Sequence, residues 1–355
     1  MESEAAVDAA RKRLCWRYAM QRLGRVCGWL LLGVIVAGMT LWGMGALYYS
    51  PLPTRLRQLL ALTFGLATAV AFLTLPQRRW TLLGFGLVWG ALVLWWNTIP
   101  ASNTRDWQTD VAVLPAATLD GDRVTLHNIR NFAYRTETDF TPRYYDKTFD
   151  LQQLESVDLI SSYWAGDAIA HLLVSFGFGE QDYVAISVET RKERTEDYSS
   201  IKGFFKQYEL IYVVADERDV IRLRTTYRQP HEEVYLYRTR IPPERARRLF
   251  LDYVREVNQL VKQPAFYNTL TTNCTTNILF HARASGGIAR YNWKILLSGY
   301  APAYVYEIGG LDTSLSFADL KQRSHINASA QAAGDAPDFS QRIRVGLPRP
   351  PPASR

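Results

Sequence analysis

Three stretches without a charged residue, 26–48, 59–75 and 80–96, occupy most of the first hundred positions of this 355-residue chain. An apolar helix crosses a bilayer with about 20 residues, in a range of about 17–25. The first stretch has 23 residues and the other two have 17 each, so all three are long enough. Pro51 and Pro53 break the chain after the first stretch, and Pro76 breaks it after the second. Trp29, Trp42, Tyr48, Tyr49, Trp80, Trp95 and Trp96 gather mostly toward the ends of the stretches, where amphipathic rings favour the membrane boundary. A signal peptide has a shorter apolar core and is not followed by two more such runs. The expectation is three transmembrane helices, with a buried soluble hairpin as the alternative for the second and third. With no charge inside them, they read as an anchor rather than an ion pathway.

Charge is distributed unevenly. Of the 41 Lys and Arg, ten lie in residues 1–100, against three of the 34 Asp and Glu. Residues 101–355 therefore hold 31 of each sign, and the net charge of +7 belongs to the first hundred residues. A charge-balanced domain lacks the basic footprint that a phosphate backbone requires, which argues against a nucleic-acid partner. A composition that is 48% hydrophobic and 13% aromatic excludes disorder for most of the chain. Six basic residues, Arg11, Lys12, Arg13, Arg17, Arg22 and Arg25, precede the first span, and Arg78 and Arg79 fall in the second connecting loop. Placing both groups in the cytoplasm satisfies the positive-inside rule. The chain beyond the third span then lies across the membrane, in the periplasm of a bacterial inner membrane.

In that outer part, short runs rich in Val, Ile and Tyr read as strands: 170–176, 183–190, 209–215, 219–226 and 233–239. A further alternating stretch covers 124–129, after the turn signal Asp120-Gly121-Asp122. Short connections between most of these runs predict an antiparallel sheet. Residues 140–149 mix aromatic and charged side chains without helical period and read as irregular. A helix is expected from Pro242-Pro243 to just before Pro264, with Leu249, Phe250, Tyr253, Val254, Val257, Leu260 and Val261 on its apolar face. A second is expected to start at Cys274, capped by Asn273 or Thr272, and to end at Gly286-Gly287. Beyond Gly310 the composition turns polar and Pro-rich, which reads as a partly disordered tail.

Of three cysteines, Cys15 and Cys27 lie in or before the first span, so Cys274 is the sole thiol of the outer domain. Oxidising compartments make an unpaired thiol worth explaining. A buried inert cysteine is one explanation. The first turn of a helix offers another, because its dipole and free N–H groups favour the nucleophilic thiolate. A thiolate nucleophile needs a base. His281 is seven residues further along the same helix, too far at about 1.5 Å per residue to reach the thiol. His231 follows Pro230 in a turn, His127 sits on a possible edge strand, and His325 is in the polar C-terminal part. His171 lies within the apolar strand 170–176, so a strand histidine would face a helix-start cysteine, as in papain-like thiol enzymes. A satisfied sheet histidine is the competing reading. His171 is nine residues before Glu180 and Glu189 nine after it, so a hairpin turning about Glu180 sets them opposite each other. Glu189 could then orient the imidazole, or simply pair with Arg191 or Lys192. Asn273 and the Cys274 backbone N–H are candidate oxyanion donors, with a plain helix cap as the alternative for Asn273. No metal-ligand spacing, phosphate loop or dinucleotide fingerprint occurs, so no metal or cofactor is expected.

The segments Thr271-Thr272-Asn273-Cys274-Thr275-Thr276-Asn277, Ala170-His171-Leu172-Leu173-Val174-Ser175-Phe176-Gly177-Phe178 and Ser187-Val188-Glu189-Thr190-Arg191-Lys192 resemble the Lnb-type N-terminal periplasmic domain family, long catalogued as a domain of unknown function. Asn128-Ile129-Arg130-Asn131-Phe132 and Ile326-Asn327-Ala328 carry the same likeness, which covers residues 105–345. The order of histidine before cysteine also resembles circularly permuted papain-like enzymes such as lecithin:retinol acyltransferases. These resemblances imply Cys274 as nucleophile and His171 as base. The family takes its name from bacterial lipoprotein N-acyltransferases, so the implied reaction moves an acyl chain from a lipid through a thioester. Three N-terminal spans set this chain apart from that prototype.

Together these readings give an α+β protein: a basic cytoplasmic segment (1–25), a three-helix membrane anchor (26–97), a permuted papain-like periplasmic domain with an antiparallel sheet packed on helices (98–345), and a Pro-rich tail (346–355). The expected function is a cysteine-dependent acyltransferase or acyl hydrolase, with membrane lipids and lipoproteins as partners. A peptide or peptidoglycan amidase and a non-catalytic envelope scaffold are the alternatives.

Overall fold

The computed structural model describes residues 2–350, with side chains described at Trp16 and Arg17 and from Met20 onward. The chain divides into two compact units, Met1–Pro100 and Ala101–Arg355. The last five residues of the Pro-rich tail, and the side chains of Arg11, Lys12, Arg13 and Cys15, lie outside the described residues.

The first unit is three helices, α1 (Glu2–Tyr48), α2 (Thr54–Thr74) and α3 (Arg78–Thr98). Their apolar parts, Met20–Tyr48, Thr54–Thr74 and Arg78–Thr98, are long enough to cross a membrane. A 21-residue helix rises about 31 Å, against about 30 Å for a hydrocarbon core. The 17-residue runs gain that length from polar ends: Thr54, Arg55 and Arg57 begin α2, and Arg78 and Arg79 begin α3. The basic segment is helical and continuous with the first span in α1. Small residues set the packing, because a Cβ on Gly43 or Gly65 would stand 2.6 Å from Phe64 or Met44.

The second unit is built on an eight-stranded sheet. Its strands are β1 (Ala116–Asp120), β2 (Arg123–Arg130), β5 (Tyr144–Asp150), β6 (Leu154–Tyr163), β7 (Ala170–Phe178), β8 (Asp182–Arg191), β9 (Glu209–Ala215) and β10 (Glu233–Arg238). Two short strands, β3 (Ala133–Tyr134) and β4 (Phe140–Thr141), pair apart from it. The order is β1-β2-β9-β8-β7-β6-β10, with β5 also on β2. Every pairing is antiparallel except the Arg130↔Ala215 contact of β2 with β9, so the sheet is mixed rather than wholly antiparallel.

Helices cover both faces. In β9, Leu210, Tyr212 and Val214 face one cluster, which holds Leu249, Phe250, Tyr253 and Val254 of α5 (Pro243–Lys262). Ile211, Val213 and Ala215 face the other, with Val220 and Ile221 of α4 (Glu217–Arg222). Burial on both faces explains why β9 reads as a continuous apolar run. After α5 come α6 (Cys274–Ala284), α7 (Trp293–Leu296) and α8 (Ala301–Glu307). The chain then finishes with α9 (Phe317–Arg323), α10 (Asn327–Ala333) and α11 (Phe339–Arg342).

Three expectations are corrected. Residues 219–226 are not a strand but α4 followed by a π-helical turn, Leu223–Tyr227. The Asp216 carboxylate caps α4 by accepting from the Arg218 N–H, and Glu217 and Asp219 sit in its first turn. The run's Val and Ile residues face the sheet as a helix stripe. Residues 140–149 are not irregular, because Tyr144–Asp150 pairs with β2 across a bulge near His127. Nor is the chain after Gly310 loose: Ile326, Ala330, Ala333, Phe339 and Ile343 are core residues.

Arg344 pins this C-terminal part. It donates to Asp158 at 2.9 Å and to both oxygens of Glu217 at 2.6 and 2.7 Å, and its guanidinium lies 3.7 Å from the centre of the Tyr183 ring. Removing one partner of a buried ion pair typically costs about 3–5 kcal/mol. Arg344→Met should lower the thermal midpoint of the full-length protein accordingly, and an unchanged midpoint would show that this contact holds nothing.

Candidate active site

Cys274 opens α6 because Asn273 closes it. The Asn273 Oδ1 accepts from the Thr276 N–H at 2.9 Å, and the Thr276 hydroxyl accepts from the Asn273 N–H at 2.9 Å, a reciprocal capping box. The Asn273 Nδ2 donates to the Thr269 carbonyl at 2.7 Å. Both ends of the carboxamide are thus engaged, and Asn273 stands as a cap rather than as a side chain aimed at an oxyanion. The Cys274 N–H belongs to the first turn, whose amides have no partner within the helix.

The imidazole comes from β7. The ladder of β7 with β8 runs from Phe178↔Asp182 to Leu173↔Ser187, a register that, continued by two residues, sets His171 opposite Glu189. The ladder stops at Leu173, and the backbone N–H of Leu172 beyond it helps hold the Cys274 thiol below its usual value. Leu173 and Ala185 mark the sheet face that carries α4, whereas Cys274 packs against the cluster on the opposite face. Thiol and imidazole meet where the two strands part.

His171 Nε2 lies 2.7 Å from the Ser187 hydroxyl and 3.1 Å from Glu189 Oε1. Ser187 donates to the same Glu189 oxygen at 2.7 Å, so it accepts from Nε2–H. This leaves Nδ1 as the ring nitrogen for the thiol. Glu189 also accepts from Arg224 Nη2 at 2.9 Å. Arg224 is buried, projects from the π-helical turn, and donates to the Val220 carbonyl at 2.8 Å. Beyond it Glu232 takes a bond of 2.6 Å from Arg228 and another from Ser162. Glu189 therefore faces His171 and Arg224, not Arg191, whose guanidinium bonds the carbonyls of Val111 and Ala112.

These contacts set the charges. Burial alone would raise the Cys274 thiol, but the charge and hydrogen bond of His171, with the Leu172 N–H and Thr275, hold it below its usual value. Burial would lower His171, yet Glu189 and then Cys274 push it up to about 9. Burial opposes ionisation of Glu189 too, but His171 and then Arg224 hold it well below the usual carboxylate range. The site favours thiolate, imidazolium and carboxylate together. Burial first, then the negative charges of Asp252 and Cys274, keeps Tyr253 in its phenol form.

The other histidines stand elsewhere. His281 is a brace inside α6: Nδ1 meets Asp252 at 2.8 Å, Nε2 meets the Tyr212 hydroxyl at 2.7 Å, and its ring stacks on Tyr253 with centroids 3.9 Å apart. His127 pairs with Asp146, His325 with Glu233, and His231 is exposed. Sequence reasoning missed Ser187 and Arg224. Period-two alternation from Glu189 could have found Ser187. Nothing local pointed to Arg224, because its segment reads as a strand.

The fold and cluster define a class: a helix-anchored α+β protein whose sheet and helix α6 bring a cysteine, a histidine and a glutamate together. The family model described as the Lnb N-terminal periplasmic domain matches residues 140–300, which include all of these residues, and that match together with the three membrane-length helices points to a membrane protein with a periplasmic domain. Neither a search of curated proteins nor one of solved structures gave a match.

A depressed thiol should react at low pH. In a Cys15→Ser, Cys27→Ser background, alkylation by iodoacetamide should persist well below the ordinary thiol value of 9.0. Because an opposite charge at close range shifts ionisation by about 1–3 units, His171→Ala should move the profile up by that amount. A wild-type profile centred at the ordinary value would contradict the ion pair.

Proposed function

We propose that the outer domain is a circularly permuted papain-like thiol enzyme that transfers or hydrolyses acyl groups of membrane lipids or lipoproteins through a Cys274 thioester. The observation that carries this reading is the Cys274–His171–Glu189 cluster, an acidic thiol beside an imidazole oriented by a carboxylate. The thiolate attacks the acyl carbonyl and forms a tetrahedral oxyanion, which the Cys274 N–H stabilises. The His171 imidazolium gives its proton to the departing oxygen as the C–O bond breaks, leaving the thioester and a neutral imidazole. An amine or water then attacks the thioester while His171 takes its proton. The acyl product leaves, and thiolate and imidazolium are restored. Ser187, which accepts from His171 Nε2–H, and Arg224, which acts on the imidazole through Glu189, are positioning residues.

An exposed apolar rim favours lipid substrates over sugar–peptide ones. Trp164, Ile169, Ile288, Trp293, Leu296 and Leu297 are exposed. The 298–300 turn ties their segments together: the Ser298 hydroxyl accepts from the Ala170 N–H, beside His171, and the Gly299 carbonyl accepts from the Tyr163 hydroxyl. The positive-inside rule supports an inner-membrane protein with a cytoplasmic N-terminus and this domain in the periplasm.

The test offers purified full-length protein a diacyl lipid and a muropeptide side by side, and follows product together with the mass of Cys274. The expected result is an acyl adduct on Cys274 that hydroxylamine removes, with turnover abolished by Cys274→Ala in a protein that still melts normally. Turnover of the muropeptide alone would assign an amidase instead, and wild-type rates in Cys274→Ala would end the enzymatic reading.

The histidine's protonation gives a pH signature. Activity should rise as the thiolate forms and fall again near pH 9, where His171 loses the proton it must donate. Arg224→Gln should lower kcat with little change in KM and bring the descending limb to lower pH, because Glu189 then supports the imidazolium less. An unshifted limb would restrict Arg224 to stability.

A further inference from the structure

Within the first unit α1 and α2 do not pack along their whole length. A cavity of about 520 Å³ opens between them, bordered by Gly33 and Ala37 of α1, Ala69 of α2, and Trp29 and Arg78 at one end. That volume lies within the range of about 300–1,000 Å³ in which small ligands bind. A Cβ added at Gly33 would meet nothing within 4 Å. The groove is blind at the other end, where Gly43 meets Phe64 and Gly65 meets Met44. Its hydroxyls are spent inside their own helices, Thr40 on the Val36 carbonyl and Thr68 on the Phe64 carbonyl, so its length is apolar.

The two ends differ in charge. The Arg78 guanidinium lies over the Trp29 ring, 4.9 Å from its centre. Arg25 stands one turn before Trp29 on the same helix face. From Trp29 to Leu41 the helix rises about 18 Å. One leaflet of hydrocarbon is about 15 Å deep, half of a core of about 30 Å. A groove about one leaflet long, closed at one end and basic at the other, matches a single ligand chemistry: an acyl chain ending in an anionic headgroup.

We propose that this unit binds one anionic phospholipid, with an acyl chain in the α1–α2 groove and its phosphate on Arg78, assisted by Arg25. A soluble phosphate would leave the apolar length empty, and a zwitterionic lipid would bring the same phosphate together with an ammonium that the two arginines repel. The site is separate from the thiol cluster and stands whether or not that cluster is catalytic.

The test is native mass spectrometry of the full-length protein from non-ionic detergent, after exchange with phosphatidylglycerol or phosphatidylethanolamine of identical chains. One phosphatidylglycerol should stay per protein, preferred by about tenfold, because its headgroup lacks the ammonium that Arg78 and Arg25 repel. Arg78→Gln, a surface change, should bring the two lipids to parity. Gly33→Leu should abolish retention of both, whereas Gly84→Leu, on α3 where a Cβ also meets nothing, should leave binding intact. Equal retention of the two lipids by the wild type, preserved preference in Arg78→Gln, or a lipid-free dimer in place of the adduct would overturn the proposal.

Discussion

A thiol packed against an apolar core resists ionisation, because burial penalises the charged form. Here Cys274 is held on the acidic side by what lies behind it. The imidazole that faces it is kept cationic by Glu189, against its own desolvation. Glu189 stays ionised because Arg224 as well as His171 opposes its burial. Arg224 in turn is fixed by the Val220 carbonyl and has Glu232 beyond it. Each charge is affordable only because the next is present, so the thiol's character depends on a row of groups that runs inward from it. Removing any interior member leaves a buried charge unpaired rather than merely deleting a contact.

This dependence explains features of the fold that would otherwise look like irregularities. The β7–β8 ladder stops at Leu173↔Ser187, and the parting of the strands lets a thiol on one face of the sheet meet an imidazole that belongs with the other. The turn after α4 is π-helical, a form that is rare and often found at functional sites, and it is this turn that delivers Arg224 to Glu189. A buried brace, Asp252–His281–Tyr212, ties α6 to α5 and to β9 and so fixes the helix that carries Cys274. The Arg344 contacts with Asp158 and Glu217 hold the C-terminal helices on the sheet face that carries α4. Sheet, helix start and buried ions together form one rigid frame for a small number of polar atoms.

How legible this was depends on the range of the interactions. Apolar runs at Val184, Ile211 and Val213, and the proline start of α5, follow local rules, and the strands and helix lie where those rules put them. The Asn273 cap was legible too, since Asn before Cys-Thr-Thr is a strong helix start. The opposition of His171 to Glu189 could be read because a tight hairpin fixes register. The segment 219–226 misled, because Val220, Ile221 and Leu223 fit either a strand or a helix stripe, and only the sheet beneath them decides between the two. The region after Gly310 misled for a similar reason. Its apolar residues are sparse, and Ile326, Phe339 and Ile343 count as core only once a sheet face stands ready to receive them.

By itself the sequence determined three membrane-length helices, a strand-rich α+β domain after them, and a solitary thiol at the start of a helix. These follow from hydropathy, periodicity and capping, which act over a few residues. The tertiary structure alone decided which charges stand together. Ser187, Arg224 and the Leu172 N–H gather around His171 and Cys274 from segments up to about a hundred residues away in the chain, and no local pattern records such a meeting. Long-range burial selects it, because only a packed interior makes an unpaired charge costly enough to enforce its partner.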